Sequence, residues 1–413
     1  MSKPLRIALL TYRGNPHSGG QGIYVKYLSR ALLELGHHVE VFSGQPYPEL
    51  DEGVTLMKVP SLDLYRPSDP FRRPKRKEFR DWIDVIEYAA MCTAAFPEPL
   101  TYSLRVARVL RARAGDFDVV HDNQCLGYGI LDVARRSPTV ATIHHPITID
   151  HKLDRQNATF ARRLTLARWY AFTRMQKKVA RRIPSVITAS GTGSRDASSE
   201  LGVDPKRITV VHNGVDTELF RPLENVDRIP GRILTTTSAD VPLKGLVYLV
   251  EALAKLRTEI DDAHLVVVGS PRRGGRVLDA IKRFDVADHV AFESKVDSLR
   301  FAELYAMSEV AVVPSLYEGF SLPAAEAMSA GVPVVATTGG ALPEVVGTDG
   351  AAGILVPPRD VGALATAIRD LLTDPDRREA MGRAGRARVL DMFTWTKTAE
   401  RTVDVYRRAI ESC

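Results

Sequence analysis

Two carboxylates frame a short stretch, Ser315 to Glu326, that reads SLYEGFSLPAAE. Glu318 and Glu326 stand on either side of seven residues. Between them, Gly319 lets backbone come close to a ligand, and the amides after Phe320 open a helix, whose N-terminus favours an anion. Carboxylates accept from hydroxyls, and a helix start attracts phosphate, so the residue types suit a ligand carrying both. The same residues also suit a capped surface turn, and the stretch alone does not decide between the two.

A strand before the stretch and a helix after it would position these groups. Val310 to Val313, bounded by Pro314, reads as a buried strand, and Ala324 to Ala330 as a small-residue helix ending at Gly331. In a parallel α/β sheet such strand-to-helix turns lie at the carboxyl ends of the strands, where ligands bind. The alternation recurs along the chain. Leu5 to Tyr12 reads as a strand, Arg13 to Gly22 as a glycine-rich loop, Ile23 to Leu35 as a helix and His38 to Phe42 as a strand. The loop is not GxGxxG and no acid closes the second strand, which disfavours a dinucleotide cofactor. Further strands are expected at Gly53 to Val59, Phe117 to His121, Thr139 to Ile143, Pro184 to Ala189 and Ile208 to Val211. Residues 60 to 100, with a basic run from Arg72 to Lys77, read as an exposed loop holding a helix near Trp82 to Ala95, and a further helix follows from Leu100 to Ala114.

The proline-bearing segment Glu218 to Gly231 reads as a linker. A second series follows, with strands at Ile233 to Thr237, His264 to Val268, Val290 to Phe292, Val310 to Val313 and Val332 to Ala336. Helices fit between them, then at Val361 to Leu372, Arg377 to Leu390 and, amphipathic, Thr396 to Ile410. Two successive α/β series predict two Rossmann-like domains with a cleft between them.

Length and composition agree with that architecture. The 413 residues suit two domains, and 45% apolar with 26% charged residues exclude disorder as the main state. The net charge of +6 is a mild basic excess. Cys92, Cys125 and Cys413 are scattered, with no CxxC, so neither a disulfide framework nor a zinc knuckle is expected, and a reducing cytoplasm is. The apolar run Ile7 to Leu10 is too short for a signal-peptide core, and no run approaches membrane-spanning length, so any membrane contact would be peripheral.

With the elements placed, the sequence resembles the retaining glycosyltransferases of the GT-B fold, family four. SGG at Ser18 to Gly20 and LGHHVEVF at Leu35 to Phe42 match the family's opening, and HNGVD at His212 to Asp216 its pre-linker motif. LKG at Leu243 to Gly245 matches its phosphate-binding lysine. EGFSLPAAEAMSAGVPVVAT at Glu318 to Thr337, followed by GGALPEVV at Gly339 to Val346, matches its donor-site signature. The resemblance covers essentially the whole chain and is most specific from Glu318 to Gly340.

It implies an α/β, GT-B protein whose two Rossmann-like domains face each other across a cleft. Residues 1–219 would form the acceptor domain, residues 220–395 the nucleotide-sugar donor domain, and the helix in 396–413 would pack back on the first. Implied, too, is metal-independent transfer of a sugar, with retention of configuration, from a nucleotide-sugar donor to a carbohydrate, lipid or small-molecule acceptor. No cofactor is implied, the nucleotide sugar being a substrate. Glu326 would hold the donor ribose, and Glu318 and His144 the donor sugar. Backbone of Gly20, Gly319, Phe320, Ser321 and Leu322 would meet sugar or phosphate. Lys244 would stabilise the charge that grows on the departing diphosphate.

One departure stands out. The family's arginine, five or six residues before the lysine, is replaced by Ala239 and Ser238. Ser238 with loop amides, or Arg272, Arg273 or Lys295 from neighbouring loops, would have to substitute for it. Asp116 and Asp118 form a DxD, but before a strand rather than after one, and read as turn residues; no metal site is expected from them or from His121, Asp122, His144 and His151. Arg155 to Arg182 is basic, without an acid, and interleaved with Trp169, Tyr170 and Phe172. A helix of this kind suits contact with the anionic inner face of a membrane or with an anionic acceptor, and equally a solvated face packed on its own domain. Nucleic acid is disfavoured, since no stacking platform or reader motif accompanies the charge. The alternatives to a transferase are a nucleotide-sugar epimerase or phosphorylase on the same fold, or a non-catalytic binding protein.

Overall fold

Every strand pair among the described residues is parallel. The computed structural model describes residues 3–15, 20–66, 68–156, 158–237 and 241–413. The chain divides into two units, Met1–Val211 with Trp395–Cys413, and His212–Thr394.

The strands of unit 1 are β1 (Arg6–Thr11), β2 (His38–Ser43), β3 (Thr55–Lys58), β4 (Val119–Asn123), β5 (Thr139–Ile143), β6 (Ser185–Thr188) and β7 (Ile208–Val210), in sheet order β3-β2-β1-β4-β5-β6-β7. Its helices are α1 (Gln21–Glu34), α2 (Trp82–Cys92), α3 (Glu98–Ala112), α4 (Tyr128–Ala134), α5 (Ile147–Gln156), α6 (Phe160–Trp169), α7 (Phe172–Ala180) and α8 (Gly191–Asp196). Unit 2 holds β8 (Arg232–Thr236), β9 (His264–Val268), β10 (Val290–Glu293), β11 (Val310–Val313), β12 (Val334–Thr337) and β13 (Gly353–Val356), in order β10-β9-β8-β11-β12-β13. Around them lie α9 (Leu246–Leu256), α10 (Arg276–Arg283), α11 (Ser298–Ala306), α12 (Leu322–Ser329), α13 (Leu342–Val346), α14 (Val361–Leu372) and α15 (Pro375–Met392). The last helix, α16 (Trp395–Glu411), belongs to unit 1.

Helices cover both faces of such sheets, so their strands read as unbroken apolar runs. All four residues of β11 are buried. Strand order reverses between β1 and β4 and between β8 and β11, and crevices at the carboxyl ends of such pairs are where α/β folds take ligands. The loops after β1 and β4 in unit 1, and after β8 and β11 in unit 2, are thereby marked out.

Helix α16 completes the core of unit 1. Trp395, Ala399, Val403 and Tyr406 fall on one helical face and pack with Ile7, Leu9, Tyr24 and Leu28. Trp395 stacks on Tyr27 with ring centroids 5.4 Å apart, and the Tyr406 hydroxyl lies 2.6 Å from His121 Nδ1.

Among the differences from expectation are those at β4, at β13 and in the basic segment. Strand β4 starts two residues later than the apolar run FDVVH, because Asp118 is captured by Arg6. The Arg6 amide donates to Asp118 Oδ2 at 2.7 Å and its guanidinium to Oδ1 at 2.9 Å, so pairing begins at Ile7 with Val119. The strand therefore runs on through Asp122 and Asn123. Strand β13 lay hidden in a short, glycine-flanked run and pairs with β12. The basic segment Arg155 to Arg182 forms parts of three helices, α5 to α7, rather than one. Trp169 from it packs against Tyr65 and Phe96, at 5.7 and 5.2 Å, whereas Phe160 and Leu164 stay exposed. Among the described residues no helix is long and apolar enough to cross a membrane.

Candidate active site

In unit 2 the loops after β8, β11 and β12 are knitted together by backbone. The Leu316 amide donates to Leu243 O at 2.7 Å, and Ala341 N to Glu318 O at 2.9 Å. Thr337 Oγ1 donates to Ser315 O and accepts from Gly339 N at 3.1 Å. Gly245 closes the turn Pro242–Lys244 at φ 68°, where a side chain would run into Pro314 O; Gly340, also at φ 68°, lies against Glu318 O in the same way. Both positions call for glycine, since the left-handed region and the close approach each exclude a Cβ.

These loops bring Lys244 and Glu318 together. Lys244 Nζ donates to Glu318 Oε1 at 2.8 Å, and Ser315 Oγ donates to the same oxygen at 2.6 Å. Glu318 is buried. Helix α12 starts next to them. Its cap, Ser321, sits at φ 98°, with its hydroxyl accepting from Ala324 N at 3.4 Å. The amides of Phe320, Ser321 and Leu322 have no acceptor among the described residues, so they form a set of donors at a helix N-terminus. Phe320 is fixed by stacking on His212, centroids 6.1 Å apart, and by edge contact with Phe393 at 5.6 Å.

Glu326 lies one turn into α12, with Tyr305 OH of α11 3.2 Å from Oε2. Burial pushes its carboxyl up to about 7. Lys295 is exposed in the loop after β10, at φ 57°, and makes no hydrogen bond or ion pair among the described residues. Arg272 and Arg273 are exposed in the loop after β9. Ser238 and Ala239 lie outside the described residues.

In unit 1, Gly20 precedes α1 at φ 70°, and its carbonyl accepts from Tyr24 N at 2.9 Å; Ser18 and Gly19 of the same motif lie outside the described residues. His144 follows β5. Its amide donates to Gln124 Oε1 at 2.6 Å, and its Nε2 lies 2.6 Å from Asn123 Oδ1. Burial lowers it to about 4, so the ring is neutral near pH 7. His145 turns to Asp150, 3.1 Å away.

Among the described residues, no three His, Cys, Asp or Glu side chains gather as metal ligands. His121 is taken by Tyr406 and by Thr142 Oγ1 at 2.7 Å, Asp122 by Leu126 N at 2.8 Å, and His151 stacks on Tyr170. Asp118 pairs with Arg6 and Asp116 with Arg113, at the amino end of β4.

Four residues in this arrangement had no assigned role in the sequence: Ser315 beside Glu318, Tyr305 beside Glu326, and Asn123 with Gln124 beside His144. Ser315 and the pair Asn123–Gln124 stand directly after or at a strand end, which was the signal available; Tyr305 offered none.

Comparison with known proteins places this geometry. Residues 18–219 match the family described as Glycosyltransferase Family 4, and residues 229–388 that described as Glycosyl transferases group 1. The chain is 50% identical over 408 residues, 98% of each chain, to the MMP alpha-(1->4)-mannosyltransferase of Mycolicibacterium hassiacum. The chain is a family 4, group 1 glycosyltransferase.

Other relatives of this glycosyltransferase include a D-inositol 3-phosphate glycosyltransferase of Catenulispora acidiphila, 29% identical over 437 residues, covering 99% of this chain and 96% of the relative. Among solved structures, sucrose-phosphate synthase from Thermosynechococcus elongatus superposes with a TM-score of 0.73 at 23% identity, covering 99% of this chain and 100% of that one. Anabaena Alr3699/HepE in complex with UDP and glucose gives 0.68 at 17% identity, covering 97% and 98%. The fold is accordingly GT-B, with the Family 4 match on β2 to β7 of unit 1 and the group 1 match on the strands of unit 2.

Proposed function

We propose that this glycosyltransferase is a retaining α-mannosyltransferase that takes mannose from a nucleotide-activated donor and needs no metal ion. The observation that carries the reading is the array on unit 2. There an ammonium, a buried carboxylate, three open amides at a helix start and a second carboxylate one turn further on lie at one sheet crevice. The sugar is inferred from the relative of 50% identity, a mannosyltransferase by name.

The residues divide the work by chemistry. Glu326 accepts from the ribose hydroxyls. The amides of Phe320, Ser321 and Leu322, next to Gly319, hold the diphosphate or sugar hydroxyls. Glu318 holds sugar hydroxyls; with Oε1 already shared by Lys244 and Ser315, it suits binding better than nucleophilic attack. Lys244 stabilises charge on the leaving diphosphate, the work a metal ion does elsewhere. Lys295, Arg272 or Arg273, with Ser238, supplies what the absent arginine would. In a front-face displacement a donor phosphate oxygen takes the acceptor hydroxyl's proton as the glycosidic bond opens, so no protein base is required.

The acceptor is inferred to be a carbohydrate bound on unit 1, and the protein to work in the cytoplasm. Phe160 and Leu164, 80% and 59% exposed one turn apart on α6 beside Arg162 and Arg163, support peripheral contact with the inner membrane face. Flotation with anionic vesicles tests that contact. The function itself is tested by incubating the enzyme, with and without EDTA, with GDP-, UDP- and ADP-linked mannose and glucose and oligosaccharide acceptors. Acceptor-dependent release of nucleoside diphosphate, with a product heavier by one hexose, is expected. Turnover without an acceptor, release of sugar phosphate, or no turnover overturns the reading.

A further inference from the structure

His144 is held on three sides: by the Gln124 side chain at its amide, by the edge of Tyr24 with ring centroids 4.6 Å apart, and by Asn123 Oδ1 at Nε2. Asn123 does not turn freely, because its Nδ2 donates to the Gln21 carbonyl at 3.3 Å. With the NH₂ group directed at Gln21, the oxygen is the atom left for His144, and an oxygen acceptor requires the proton on Nε2. A neutral imidazole carries one ring proton, so Nδ1 keeps a lone pair. Nδ1 has no hydrogen-bond partner among the described residues.

We propose that Asn123 is a positioning residue that locks His144 in the Nε2–H tautomer and so presents Nδ1 as a hydrogen-bond acceptor to a hydroxyl of the bound sugar. His144 then works as a neutral acceptor, neither donating a proton nor carrying charge. This rests on the reading that His144 meets the substrate. The groups that face the ring agree with neutrality: Tyr24 from α1, and His121 and Asn123 from β4. The nearest carboxylate along the chain, Asp150, is engaged by His145.

Two measurements test it. In the wild-type protein with ¹⁵N-labelled histidine, long-range ¹H–¹⁵N spectra should show His144 protonated on Nε2 and bare on Nδ1 at pH 7; an Nδ1–H tautomer overturns the proposal. Asn123→Asp replaces the neutral acceptor by a carboxylate of the same shape and should let the ring take its second proton at higher pH. The titration of the His144 ring, followed through the same ¹⁵N shifts, should then move up by about 1–3 pH units. An unmoved ring titration in a variant that unfolds at the wild-type temperature overturns the proposal as well. His144→Ala separates the two layers. If it keeps wild-type activity, the placement of His144 at the substrate fails, whereas lost activity together with an unmoved ring titration in Asn123→Asp sinks the tautomer lock alone.

Discussion

Lys244 Nζ lies 2.8 Å from Glu318 Oε1, so the ammonium assigned to the leaving diphosphate and the carboxylate assigned to the sugar neutralise each other. Glu318 is the more enclosed of the two, its side chain 10% exposed against 30% for Lys244. A donor diphosphate would therefore have to draw Lys244 away from a carboxylate that stays behind.

Removing the carboxylate charge should separate binding from catalysis. Glu318→Gln frees the ammonium and deletes a repulsive neighbour of phosphate, so nucleoside diphosphate should bind about 3- to 10-fold tighter, in keeping with ~1 kcal/mol for an incompletely buried pair. The same change should lower kcat about 100-fold or more, as loss of an oriented polar contact to the transition state does. Calorimetry and steady-state rates check both, and weaker nucleotide binding would count against the competition.

Removing the cation should act in the opposite sense on binding. Lys244→Met leaves the leaving group without its nearest charge and should reduce kcat by about 10²–10³. Nucleoside diphosphate affinity should fall too, and its dependence on salt should weaken, measurable by titration at two ionic strengths.

The carboxyl of Glu326 sits at about 7, raised by burial, and this has two consequences of fixed sign. A carboxyl raised in the folded state holds its proton more tightly than in the unfolded chain. Its contribution to stability is thus greatest below the unfolded value and declines as pH rises towards 7. Ribose hydroxyls need the ionised form as acceptor, so nucleotide affinity should increase from pH 6 to pH 8, with proton release on binding. Glu326→Gln should flatten both profiles; calorimetry in buffers of different ionisation enthalpy reads the protons. Tyr305→Phe, which removes the hydroxyl beside Oε2, should shift the midpoint without abolishing the dependence.

Gly340→Ala should damage the site from the backbone. The residue holds φ 68° with Glu318 O pressed where the new methyl would go. The strained conformation costs about 1–3 kcal/mol, seen as a lowered unfolding temperature, and the displaced Glu318 should weaken donor use in step.

How much of this could be read beforehand depends on the distance over which each feature is decided. The run Val310 to Val313, its proline and the small-residue helix after it declare a strand-turn-helix locally, and that element stands as expected, with α12 starting two residues earlier. The pairing of Lys244 with Glu318 spans 74 residues, and those of Asn123 with His144 and Tyr305 with Glu326 span 21 each. Such contacts follow from sheet order, which hydrophobic periodicity does not encode. The start of β4 is of the same kind, since Arg6 decides it from another strand. The basic segment misled for a different reason. Its charges and aromatics fit one helix, and the packing of Trp169 against Tyr65 and Phe96 belongs to three.

The anomeric configuration of the first product bears most directly on the central claim. With nucleotide-activated α-mannose as donor, ¹H and ¹³C spectra recorded during the reaction should show an α-linked mannosyl residue formed on the acceptor with nucleoside diphosphate in equal amount. A β-linked product would mean inversion and a protein base that the account does not contain, and would contradict it.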